Sequence, residues 1–338
     1  MTPNFFEIGV CAVFAAFGAV SLVASFAVSF LWPLARRRVA RLGPRARARW
    51  LLALRMLPTA LALAASMSVA LPSFLEFESP DTTEMPGGIL EAFAVVGFVI
   101  GAAGVVRLCR VLARTRRVVR TWSRSARPAA VAGVAIPALR VASPLPIIAL
   151  AGWRRPVLFL SDAVIDGCAP RLLGAISAHE IGHRRALDNL KRLALAACCD
   201  PLARSAAGRE ITAAWEAAAE EAADDAAVAL GAGPADLAEA LLVVQRLAPS
   251  DAWPAVPAAA FYQGGCLEGR VRRLLAEGPA PVEAVPGRAR RLLTALAFLA
   301  CWALAAEALH RPARRLLEHA VVAQPGQLRG LVVVPHRT

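Results

Sequence analysis

Long uncharged stretches alternate with blocks of arginine along the first third of the chain. Residues 8–35 are nearly free of charge over ~28 positions, more than the ~20 that a bilayer-crossing helix needs. A second apolar run covers 50–75, interrupted by Arg55, whose stem is long enough to snorkel to an interface. A third covers 89–106, with Glu91 near its start, and a fourth covers 289–309, weakened by Glu307 inside it and by Arg311, Arg314 and Arg315 after it. The first run is too long for a cleavable signal and has no basic residue before it. Segment 36–49 carries Arg36, Arg37, Arg38, Arg41, Arg45, Arg47 and Arg49, and a second basic block runs from Arg107 to Arg124. The 76–88 loop is acidic, with Glu76, Glu78, Asp81 and Glu84 and no basic residue. Basic flanks face the cytoplasm. The expected topology is an external amino terminus, transmembrane helices over 1–35, 50–75, 89–106 and 289–309, a cytoplasmic domain over 107–288, and a short external tail over 310–338.

Within 107–288 the periodicity changes. Short apolar segments at 131–136, 147–151 and 157–160 read as strands, the last two joined by the turn-forming Gly152-Trp153-Arg154-Arg155-Pro156. One of them is a candidate edge strand for holding an extended peptide by backbone pairing. Helical patterns follow at about 170–190, at 210–230 where Gly231 stops it, from Pro234 to near Pro249, and at 264–277. The apolar stretch at 193–199 is too short to span a bilayer and is expected to pack in the domain or against the membrane surface.

Composition reinforces the membrane reading: 57% of residues are hydrophobic against 19% charged. A net charge of +13 could point to nucleic acid, but the arginines sit beside the apolar runs and no nucleic-acid module is present. The lipid bilayer is the expected partner, with no direct nucleic-acid binding. Seven cysteines, an odd number without a CxxC pair, argue against a disulfide framework and fit a reduced compartment. Cys198 and Cys199 are adjacent, so on a helix their side chains diverge, which favours packing over metal binding.

The scarcest chemistry lies in Ala178-His179-Glu180-Ile181-Gly182-His183. Of five histidines the other three, His310, His319 and His336, all fall in the last thirty or so residues. On a helix from Pro170 to about Leu190, Leu172, Ile176, His179 and His183 share one face, so both imidazoles can offer nitrogen to one Zn²⁺ while Glu180 stands ready to take a proton from water. A tetrahedral catalytic zinc needs a third protein ligand, and the domain has no further histidine. Asn189 occupies the position where one zinc-protease branch would place it. The third ligand is therefore expected to be a carboxylate from the acid-rich 210–230 helix. A glutamate followed one turn later by an aspartate lets the aspartate orient a ligating histidine. Glu221 with Asp225 meets that spacing, and so does Glu220 with Asp224.

These residues resemble the BlaR/MecR-type antirepressor membrane metallopeptidases, whose core is shared in outline with HtpX-type and CAAX-processing membrane zinc proteases. The likeness rests on His179 to His183 with Arg184-Arg185 and Asp188-Asn189, on Arg154-Arg155-Pro156-Val157 before them, on Glu221-Ala222-Ala223-Asp224-Asp225-Ala226, and on Arg270-Val271-Arg272-Arg273-Leu274-Leu275. The resemblance implies an α-helical membrane protein with four transmembrane helices plus a cytoplasmic α+β zincin (gluzincin-like) peptidase domain. It implies one Zn²⁺ per chain held by His179, His183 and Glu221, with Asp225 behind them, Glu180 as general base and Glu220 as the alternative ligand. A second stabiliser of the oxyanion would come from Tyr262, Arg270 or Arg273. The substrate would be a cytoplasmic protein such as a winged-helix transcriptional repressor, cleaved in signal transduction. Sensor members carry a large external ligand-binding domain after the fourth span. Only about thirty residues follow position 309 here, so a penicillin-binding module is not expected. Housekeeping proteolysis of the HtpX kind and a catalytically silent signalling scaffold are the alternatives.

Overall fold

The computed structural model describes residues 2–130, 136–151, 157–247 and 267–276, with 306–309 and isolated positions between 312 and 322. It is mostly helical with a small sheet. Among the described residues three helices are long and apolar enough to cross a membrane: α1 (Pro3–Ala40), α2 (Pro44–Phe77) and α3 (Gly88–Ser125). Thr2 caps α1 by accepting from the Phe5 amide, and Pro3 occupies the first turn, where its missing N–H costs nothing. α1 and α3 cross where Gly18 meets Gly97. A Cβ on Gly97 would run into the Phe14 carbonyl, so this contact requires glycine. α2 contains a π-helical turn at Ser66–Ala70, where the Ser66 hydroxyl donates to the Val13 carbonyl of α1 at 3.1 Å.

α3 runs well past the expected end at residue 106. No glycine or proline stands between Gly104 and Pro128, and arginine is a good helix former, so the second basic block is a continuation of the helix. The 289–305 part of the fourth apolar run lies outside the described residues, which include only its last four positions, in helical conformation.

The sheet has four strands in the order β1-β2-β4-β3: β1 (Arg127–Ala129), β2 (Ala138–Val141), β3 (Ile148–Ala151) and β4 (Val157–Ser161). β2 and β4 are parallel and the other two pairs antiparallel. β3 and β4 form where the apolar segments lie. β2 was hidden by Arg140, which breaks the apolar run and pairs with Asp162 and Asp166. The expected strand at 131–136 lies outside the described residues except for Ile136. β3 is a sheet edge. Because the Ile147 carbonyl accepts from the Ser161 amide, alternate residues 149 and 151 face β4, while the polar groups of Ile148 and Leu150 turn outward.

Then follow α4 (Asp162–Gly167), α5 (Pro170–Ala186), α6 (Asp188–Ala197), a single 3-10 turn (Pro201–Arg204), α7 (Ala206–Ala229), α8 (Pro234–Leu247) and α9 (Leu267–Ala276). One core joins the sheet to α5 and α8 through Leu158, Leu160, Ile176, Leu237 and Leu241. A second joins Val28 and Trp32 of α1 and Leu51 of α2 to Ile211, Trp215 and Ala218 of α7. α7 is thus shared between the sheet-bearing part and the membrane-type helices. Arg55 does not snorkel: it is 2% exposed and reaches both carboxylate oxygens of Asp200 at 3.0 and 3.1 Å.

Candidate metal centre

α5 begins with Pro170 at its first turn and buries Leu172, Ile176, His179 and His183 along one face, as their spacing predicts. His179 is fully buried and Glu180 is buried beside it. The helix ends at Leu187, which takes a left-handed conformation (φ 59°, ψ 35°) that costs a residue other than glycine roughly 1–2 kcal/mol. That reversal starts α6 at once and turns Asp188 back onto His183, its Oδ2 lying 2.8 Å from Nδ1. Lys191 braces the other Asp188 oxygen at 2.8 Å. Asn189, the next residue, donates to the outward-facing Leu150 carbonyl of β3 at 2.8 Å, fixing the sheet edge against the site.

α7 passes close to α5 at Gly182, where a Cβ would stand 3.0 Å from the Ala223 carbonyl and 3.1 Å from the Ala226 methyl. This approach brings Glu220 to the histidines. Its Oε2 lies 3.4 Å from His179 Nε2, its Oε1 lies 3.4 Å from His183 Nε2, and the two Nε2 atoms are 3.1 Å apart. Asp224, one turn on, sits 2.9 Å from His179 Nδ1 and is gripped by Arg270 at 2.7 and 2.8 Å.

The carboxylate facing the histidines therefore belongs to Glu220, and the aspartate behind them is Asp224. Glu221 and Asp225 are turned away: Glu221 pairs with Arg47 of α2, and Asp225 with Arg273 at 2.6 Å. Adjacent residues on a helix point about 100° apart, so only one of the two acid pairs can face α5. Arg270 is 3% exposed, grips Asp224 on the Nδ1 side of His179, and also brings Nη1 to 3.3 Å from Glu220 Oε2. Arg273 is held by Asp225 and the Glu221 carbonyl. Tyr262 lies outside the described residues.

His179, His183 and Glu220 are the group among the described residues whose ligand atoms could surround one ion, all lying within 4.8 Å of one another. Two ligands at tetrahedral zinc, ~2.0–2.1 Å from the metal, stand about 3.3–3.4 Å apart, close to the distances here. With an aspartate at each Nδ1, both Nε2 lone pairs are directed inward. Glu220 Oε2 is buried without a hydrogen-bond partner, although His179 and Arg270 approach to 3.4 and 3.3 Å. A buried carboxylate oxygen in that condition fits a cation ligand.

The charges agree. Burial alone would lower the pKa of His183, but the Glu220 charge, the hydrogen bonds to Asp188 and Glu220, and Glu180 outweigh it and raise it to about 10. Burial would raise Glu220, yet His183, His179 and Arg270 hold it well below the usual carboxylate range. Burial likewise opposes ionisation of Asp224, and Arg270 and His179 bring it down to about 2. The cluster is thus built to hold positive charge at its centre.

No family model, curated protein or solved structure matches the chain.

Sequence reasoning missed four contributors. Asp188 had a visible signal, an acid at the helix end five residues after His183. Gly182 had one too, as the small residue between the ligands. Arg192, 3.4 Å from Glu220 Oε1, and Arg47 had none, because their partners are distant along the chain.

Proposed function

We propose that the chain is a membrane-embedded zinc endopeptidase of the BlaR/MecR type. The observation that carries this reading is the convergence of His179, His183 and Glu220 at 3.1–3.4 Å, with the buried Glu180 directly after the first ligand. Zinc is favoured because two neutral imidazoles and one carboxylate, with a position left open, are its catalytic donor set. Bound there, zinc would polarise a scissile carbonyl and make water acidic enough to attack near neutral pH. Glu180 takes the proton from the attacking water and delivers it to the leaving amine. Asp188 and Asp224 hold the imidazole rings in place, and Asn189, through the Leu150 carbonyl, ties the edge strand β3 to the site.

The arginine-rich segment 36–49 and the arginine-rich end of α3 support a reading in which the site faces the cytoplasm and the acidic 76–88 loop lies outside, and the apolar sequence of 289–309 supports a fourth span. The substrate is then a cytoplasmic protein, for which a winged-helix repressor is the leading candidate.

Glu180→Gln keeps the shape of the side chain and removes the base. Proteomic comparison of cells carrying the natural chain and this variant should reveal a cytoplasmic protein shortened only with the former. Zinc content measured on both purified chains should be equal. Equal substrate processing by the two would remove Glu180 from the chemistry, and absence of zinc from the natural chain would remove the peptidase reading altogether.

A further inference from the structure

α7 carries two acid pairs one residue out of step, and spacing alone lets either serve the metal. What separates them is the partner that meets the other pair. The Glu221 carboxylate takes Nη2 of Arg47 at 2.5 Å, with both side chains only about one-fifth exposed, at 19% and 20%. Arg47 belongs to α2, which crosses the apolar part of the molecule and lies along α7, with Ala48 and Leu51 seated in the same core as Ala218 and Ala219. From the opposite end of the chain Arg273 holds Asp225 and the Glu221 carbonyl.

We propose that Arg47 is a positioning residue for the metal centre: its ion pair with Glu221 fixes the rotation of α7 that turns Glu220 toward His179 and His183, so a membrane-type helix sets the geometry of the metal ligands. The inference rests on the reading of this cluster as a metal centre. Its physical basis is that Glu220 and Glu221 share one stretch of backbone. A force on the Glu221 carboxylate turns the helix, and the ligand one residue earlier turns with it. Two further contacts keep α2 in register with the segment leading into α7. Arg55 and Thr59 both hold Asp200, just before the 3-10 turn that precedes α7, with Thr59 Oγ1 at 2.5 Å. A displacement of α2 therefore reaches the third ligand through a single residue.

The test measures zinc affinity of the full-length chain in detergent micelles, stripped by chelation and titrated with Zn²⁺ against a chromophoric chelator. Arg47→Glu should weaken zinc binding ~10-fold, the scale on which residues behind metal ligands act. The charge-swapped pair R47E/E221R should recover most of the loss. E221Q should weaken binding comparably, and adding R47A to it should cost nothing further, since the pair is already broken. Zinc affinity unchanged in R47E, or a swapped pair as weak as R47E alone, would overturn the proposal. Should R47E fail to fold, E221Q decides: undiminished affinity there overturns it too. Failure of the underlying reading is separate and visible, because the unaltered chain would then take up no zinc and Glu220→Gln would change nothing.

Discussion

Glu220 and Glu221 have the same side chain and the same alanine-rich surroundings in sequence, yet one is buried beside two histidines and the other is tied to an arginine. The difference lies in which cations the fold delivers to each face of α7. Asp224 and Asp225 repeat the contrast one turn on, and this gives a direct test. Asp224→Asn weakens the acceptor at His179 Nδ1, so zinc affinity should fall ~10–100-fold, whereas Asp225→Asn, which touches neither histidine, should cost clearly less. Competitive zinc titration of the two variants distinguishes them, and a reversed order would return Glu221 and Asp225 to the site. The same contrast marks what was legible beforehand. His179, Glu180 and His183 stood out because their spacing is local and their residue types are scarce. The choice between two adjacent glutamates depended on Arg47, 174 residues away from Glu221, and no local pattern encodes that.

At the scale of elements the site depends on α5 and α7 lying close enough for a glutamate to reach two histidines on the neighbouring helix. Gly182 permits this, with the Ala223 carbonyl only 3.0 Å from where its Cβ would be. Gly182→Ala asks the neighbours to give by a few tenths of an ångström. Gly182→Leu adds a branched side chain with nowhere to go and should push α7 away, taking Glu220 with it. The expected outcome is graded: zinc retained at reduced affinity in the alanine variant and lost in the leucine variant, with helical circular dichroism close to unchanged in the first. Zinc bound normally by G182L would show that the two helices can separate without cost to the site. Helix boundaries followed from sequence where punctuation was present, as at Pro170, Gly231 and Pro234. Hydropathy marks the end of an apolar run and not of the helix that carries it, and α3 continues to Ser125 on arginine-rich sequence. β2 escaped notice because four residues with a charge inside make a weak pattern.

For the whole molecule, the three long apolar helices were legible because length and hydropathy are properties of contiguous sequence. Their grip on the site was not, because it is made by tertiary contacts. The backbone just before the turn leading into α7 is held by all three of them. Ser21 of α1 donates to the Cys199 carbonyl at 3.4 Å, Arg55 and Thr59 of α2 bind Asp200, and Arg107 of α3 donates to the carbonyls of Ala196 and Cys198. The Arg55–Asp200 pair is the most exposed to disruption energetically, because its side chains are only 3% and 0% solvent-accessible. Removing one partner leaves the other charge buried, a loss of about 3–5 kcal/mol, whereas removing both charges together is far milder. Asp200→Ala also deletes the acceptor that caps the Ala203 amide. Asp200→Asn preserves that cap while discharging the site. The D200A variant should therefore unfold at a clearly lower temperature than the R55M/D200N double variant, which should lie nearer the unaltered chain. Trp32 and Trp215, both buried in the core shared by the membrane-type helices and α7, make intrinsic fluorescence a suitable readout in detergent. If D200A proved as stable as the double variant, the buried pair would not be what joins the membrane-type helices to the part that carries the His179–His183–Glu220 cluster. Rigid docking of α7 on α1 and α2 would then have to rest on the apolar seam from Val28 to Trp215 and on the Arg47–Glu221 pair.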